Sequence, residues 1–165
     1  MKLTPTLMAD FYKLGHKNQY PDKTEVVYST WTPRSGKHLP YIKEVVAFGF
    51  QGFFKELKET FDESFFSVSK EEAIGVYSRI VKNCLGVANP ETTHLEELHD
   101  LGYLPLKVKA LEEGTLVPFR VPMLTIENTD NRFFWLTNYV ETMASANLWK
   151  PCTAASVARV YRQVL

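Results

Sequence analysis

The stretch Leu106-Lys107-Val108-Lys109-Ala110-Leu111-Glu112-Glu113-Gly114-Thr115-Leu116-Val117-Pro118-Phe119-Arg120-Val121-Pro122-Met123-Leu124-Thr125-Ile126-Glu127 decides the fold class. Leu106, Val108 and Ala110 alternate with Lys107 and Lys109, the period of a strand with one buried face. Glu113-Gly114 reads as a turn, Thr115 to Val117 as a second strand, Val121-Pro122 as a break and Met123 to Glu127 as a third strand. The result is a compact lobe of short strands. On either side the pattern is helical. From Asn131 to Asn147, Trp135, Tyr139 and Met143 recur at intervals of four; Lys150-Pro151 is expected to interrupt that helix, with another starting near Thr153. Upstream, Ser69-Lys70-Glu71-Glu72 fits a capping box for an amphipathic helix ending at Leu85-Gly86. Glu91 to Leu101 reads as a shorter helix stopped by Gly102, and Gly49 to Gly52 lead into one through Phe53, Phe54 and Leu57. The fold class expected is α/β (α+β).

Nearer the N-terminus, Thr24 to Trp31 is rich in β-branched and aromatic residues and predicts a strand; Val45 to Phe48 predicts a short buried one. Thr32 to Pro40 carries Arg34, Lys37 and His38 among prolines and a glycine, which makes it a basic loop. The first segment reads as a helix, with Pro5 in its first turn, Thr4 or Thr6 as cap, and Leu7, Phe11 and Leu14 as an apolar stripe. Asp10, Tyr12 and Lys13 are expected off that stripe, where they could serve a small planar ligand. On the residues alone, the favoured reading is plainer: a solvated polar face with a half-buried tyrosine.

Composition narrows the function classes. An apolar fraction of 45% and a charged fraction of 23% are ordinary for a globular protein. Net charge is zero, so nothing favours a nucleic acid or an anionic membrane as partner. No apolar run approaches a membrane span, and the first residues lack a signal-peptide pattern. The 22 aromatic residues (11 Phe, 8 Tyr and 3 Trp) furnish a core and also suit a site that stacks a flat ring. Cys84 and Cys152 stand alone, as free thiols of a reducing cytoplasm do. His94 and His99 are poorly spaced to share a helix face, and no HExxH occurs, so no protein-built metal site is expected. There is no GxSxG elbow, GxGxxG or Walker loop. Glu112-Glu113 reads as a hairpin turn, and Glu71-Glu72 and Glu96-Glu97 as solvated helix faces or caps.

Asp10-Phe11-Tyr12-Lys13 followed by His16-Lys17-Asn18-Gln19-Tyr20-Pro21 resembles the start of nicotinamide phosphoribosyltransferases. The similarity continues through Val27-Tyr28-Ser29, Arg34, Leu104 to Ala110 and Glu113-Gly114-Thr115. It is densest in Thr125 to Asp130 and in Trp135 to Thr142, in the family's order and spacing. The resemblance implies transfer of phosphoribose from phosphoribosyl pyrophosphate to the ring nitrogen of nicotinamide, giving nicotinamide mononucleotide and pyrophosphate in NAD salvage. It implies that Tyr12 stacks on the nicotinamide ring across a dimer interface, that Asp10 lines the same site, and that Arg34 contacts phosphate. For Asp10 a bond to a backbone amide or to Lys13 competes, and Lys13 and His16 stay motif members without a separable role. The Asn128-Thr129-Asp130 turn and the Trp135 helix read as architectural, and Arg159 matches a family arginine of unassigned role. Magnesium is implied as arriving with the pyrophosphate rather than in a protein cage.

The resemblance divides the chain into an N-terminal family domain, 1–103, and a strand lobe with helices, 104–165, leading toward a phosphoribosyltransferase barrel that is not included. No catalytic residue is assigned to it, because the family's catalytic histidine, its amide-reading acid and most phosphate contacts lie beyond Leu165. The apolar face of Val157, Tyr161 and Val164 likewise suggests a truncated or split protein. Two other readings stay open: a non-catalytic segment pairing with a C-terminal polypeptide or a homologue, and a relative of the nicotinate phosphoribosyltransferases.

Overall fold

Short strands need partners, and the computed structural model, which describes residues 4–165, pairs them in two antiparallel sheets. The larger has β5 (Leu124–Asn128) at its centre, flanked by β1 (Tyr28–Trp31) and β3 (Leu106–Ala110). Tyr28 faces Glu127 on one side of β5, and Lys107 faces it on the other. The smaller sheet pairs β2 (Glu44–Val46) with β4 (Leu116–Pro118). Strands from either side of the 103/104 boundary therefore share both sheets. The first three residues of the expected N-terminal domain lie outside the described residues.

Helices wrap these sheets. Helix α1 (Phe50–Phe61) continues into a π-helical turn, Asp62–Phe66, and buries Phe50, Phe53, Leu57, Phe61 and Phe65. Helix α2 (Lys70–Leu85) begins as expected, with the Ser69 hydroxyl accepting from the Glu72 amide, and ends at left-handed Gly86. Helix α3 (Thr93–Leu101) stops at Gly102. A 3₁₀ turn, Asn131–Phe133, then leads to α4 (Leu136–Tyr139) and the long α5 (Glu141–Val164). Trp135, Tyr139 and Met143 all point into the core. No barrel of strands is present among the described residues.

Three expectations are corrected. First, β1 is half the predicted strand. The buried Asn128 side chain accepts from the Val27 amide at 2.8 Å and donates to the Glu25 carbonyl at 2.8 Å, taking groups a ladder would have used. Secondly, Pro151 does not interrupt α5. Its ring rests on Gly49, where a Cβ would lie 2.9 Å from the Pro151 Cγ. On the next turn the Ser156 hydroxyl donates to the Cys152 carbonyl and accepts from the Val46 amide, so the helix is held to β2 just beyond the proline. Thirdly, the first segment is two 3₁₀ helices, Pro5–Leu7 and Phe11–Gln19, and Thr4 makes no side-chain cap. An α-helix would bond the Asp10 amide to the Thr6 carbonyl. Here the Asp10 amide goes to the Thr142 hydroxyl and the Thr6 carbonyl accepts from the Tyr139 hydroxyl. Both partners are diverted to the start of the C-terminal helices, and the helix breaks between them.

Candidate functional site

The diverted segment carries the residues singled out by their chemistry. In a 3₁₀ helix the side-chain period is three, so Lys13 faces inward and the expected stripe dissolves. Leu7 and Leu14 are half-buried and Phe11 is exposed. Lys13 is the buried member, 3% exposed, which corrects its placement on the outer face. A buried ammonium needs partners. The Lys13 Nζ forms an ion pair with Glu141, donates to the Thr142 hydroxyl at 2.8 Å, and lies 3.7 Å from the Asp10 carboxylate. The Thr142 hydroxyl in turn donates to Asp10 Oδ2 at 2.6 Å. Burial pushes the Glu141 carboxyl up, but bonds from Lys13 and Ser145 outweigh it and hold the group below the usual carboxylate range. Asp10 thus does bond within the chain, to Thr142 and Lys13, while staying exposed.

Tyr12 is the opposite case. Its side chain is 62% exposed, and its ring meets that of His16, with centroids 5.0 Å apart, and has the Lys13 ammonium 5.9 Å from its centre. His16, Gln19, Tyr20 and Asn138 line an open cleft of about 220 Å³ beside it. Asn138 fixes that wall by donating to the Tyr20 hydroxyl and accepting from the Ser29 hydroxyl, both at 2.7 Å.

Arg34 lies elsewhere. It is exposed on the basic loop and makes no hydrogen bond or ion pair among the described residues. The loop is anchored where the Arg120 amide donates to the Pro33 carbonyl and where Gly36 packs on the Phe119 ring. Ser35, Gly36, His38, Phe119 and Thr153 line a cleft of about 100 Å³ beneath it. Asp10 reaches α5 at Thr142 and this cleft reaches it at Thr153; eleven residues correspond to roughly 16 Å along a helix axis. Asp10 and Tyr12 both flank the Lys13 ammonium, whereas Arg34 belongs to the loop beside the separate cleft.

Lys13, Glu141 and Thr142 as a unit escaped sequence reasoning, and so did Glu113. The Glu113 carboxylate is not merely part of a turn: it accepts from the Gly49 amide at 2.6 Å and the Gln51 amide at 3.1 Å, capping α1. The available signal was that Glu141 and Thr142 close the same Trp135 to Thr142 motif. Among the described residues, no three His, Cys, Asp or Glu side chains are grouped to hold a metal ion. Likewise no helix is long and apolar enough to cross a membrane.

A model of the nicotinamide phosphoribosyltransferase N-terminal domain matches residues 5–89, more than half of the chain. The chain belongs to the nicotinamide phosphoribosyltransferase family. It is 46% identical to the nicotinamide phosphoribosyltransferase of Acinetobacter baylyi over 169 residues, covering 99% of this chain and 34% of that protein. To the Mycoplasma genitalium nicotinamide phosphoribosyltransferase it is 31% identical, over 96% of this chain and 38% of that one. The chain therefore spans about a third of the length of these curated relatives, as the N-terminal part of a nicotinamide phosphoribosyltransferase. In fold it is similar to the crystal structure of human nicotinic acid phosphoribosyltransferase, with a TM-score of 0.57 at 16% identity, over 86% of this chain and 25% of that one.

Proposed function

We propose that this chain supplies one wall of the nicotinamide site of a phosphoribosyltransferase that makes nicotinamide mononucleotide and pyrophosphate from nicotinamide and phosphoribosyl pyrophosphate, in NAD salvage. The observation that carries the reading is the contrast at residues 10–13. An aromatic ring is left 62% exposed on a backbone whose neighbours are bonded to α5. Exposed rings on fixed backbones suit stacking on a planar ligand. As the N-glycosidic bond forms, positive charge passes to the pyridine ring, and the electron-rich face of Tyr12 favours that charge. Asp10, exposed beside it, lines the same wall. Arg34, exposed and without a hydrogen-bond or ion-pair partner among the described residues, can fork onto phosphate oxygens of phosphoribosyl pyrophosphate.

Because Tyr12 and Arg34 lie beside separate clefts, the two contacts fit a site shared between subunits of a homodimer, or between this chain and a C-terminal polypeptide. Magnesium would arrive bound to the pyrophosphate of phosphoribosyl pyrophosphate. A cytoplasmic location suits the two unpaired thiols.

The test joins this segment to the remaining two thirds of the Acinetobacter baylyi relative and follows pyrophosphate release against nicotinamide concentration. Tyr12→Ala should raise the KM for nicotinamide about tenfold, the worth of a stacked ring, while Tyr12→Phe stays near the parent. An unchanged KM in Tyr12→Ala overturns the reading.

A further inference from the structure

Tyr12 owes its position to its neighbours, since its own side chain is 62% exposed. The Lys13 amide donates to the Asp10 carbonyl at 2.8 Å, closing residues 10–13 into one turn. That turn is fastened to the first residues of α5 by the Lys13 ammonium on Glu141 and Thr142 and by the Asp10 carboxylate on Thr142. Glu141 sits in the first turn of α5, where the helix dipole favours its negative charge. The segment is also held at both ends without Lys13: the Tyr139 hydroxyl binds the Thr6 carbonyl, and Asn138 binds the Tyr20 hydroxyl. Docking of the segment and placement of its middle therefore rest on different contacts.

We propose that the Lys13–Glu141 ion pair is a positioning device that fixes the Tyr12 ring for the substrate ring. Lys13 and Glu141 are positioning residues that act through Tyr12 and need not touch the substrate. The assignment rests on the stacking role of Tyr12 proposed above. Lys13→Met keeps most of the buried stem and removes the charge, so the ends stay docked and the middle loosens.

The experiment is a double-mutant cycle in the joined enzyme, with Lys13→Met and Tyr12→Ala singly and together. Lys13→Met should raise the KM for nicotinamide roughly tenfold and leave the KM for phosphoribosyl pyrophosphate within about twofold. In the Tyr12→Ala background it should add nothing, because the ring it positions is gone. A wild-type KM in Lys13→Met, or an increase that persists in full without the ring, overturns the proposal while Tyr12→Ala still supports stacking. If Tyr12→Ala itself has no effect, the stacking role fails and this proposal falls with it. Should Lys13→Met not fold, Glu141→Gln, which leaves a neutral acceptor beside the ammonium, is read by the same criteria.

Discussion

Burial holds the His94 imidazole below its ordinary range, against the opposing pull of the Glu91 carboxylate 3.0 Å from its Nδ1. Lys17, which pairs with Glu91 at 3.8 Å, works in the same direction as burial, whereas Glu96 opposes it. The ring packs edge-on against Trp135 at 4.8 Å and also meets Tyr77, whose own hydroxyl burial pushes up to about 12. The sign follows from linkage. With the folded pKa below the unfolded value of about 6.5, the unfolded chain binds more protons in the interval between them, so stability rises with pH there. The contribution is complete above about pH 6.5 and is lost as pH falls from there through the folded value. The melting temperature should therefore drop between about pH 7.5 and 5.5, and drop less in His94→Gln. Equal slopes for the two proteins would refute the assignment. The histidine spacing speaks only against a metal; that His94 is a core residue depends on Trp135, which is distant in sequence.

Helix ends show which signals are local. Ser69 caps α2 through an amide three residues away, and Gly86 and Gly102 end their helices with positive φ; such signals lie within one turn of chain. Helix α1 lacks a local cap, because its N-cap is Gly49, at φ 94°, with no side chain to offer. Glu113, 64 residues away, fills the place with both carboxylate oxygens. Glu113→Ala should lower unfolding stability by about 1 kcal/mol, as lost caps do, and Glu113→Gln by less. Urea denaturation gives the comparison, and an unchanged midpoint in Glu113→Ala would exclude the cap. Pro151 teaches the converse. Read locally it ends a helix, but the Pro151–Gly49 contact and the Ser156 bonds to Cys152 and Val46 carry α5 through it.

At the scale of the molecule, β1 with β5 and β2 with β4 join the two halves of the chain, and residues 6–20 lie on the start of the C-terminal helices. The N-terminal stretch that opens the family resemblance and the one from Trp135 to Thr142 are thus in contact. As a span of about a third of its relatives' length, the purified 165-residue chain should release no nicotinamide-dependent pyrophosphate. Joined to the remaining two thirds of the Acinetobacter baylyi relative it should do so; turnover by the chain alone would refute this. By itself the sequence determined the short strands of residues 106–127, helices α1 to α3 and the family, because alternation, capping boxes and glycine stops act between residues a few positions apart. The expected self-contained lobe is instead divided between two sheets completed by β1 and β2. Only the tertiary structure decided that Lys13 is buried, that the first helix is broken at Asp10, that α5 runs through Pro151 and that Glu113 caps α1. Each depends on hydrogen bonds, ion pairs or packing across 60 residues or more, and no local pattern records what such a distant partner offers.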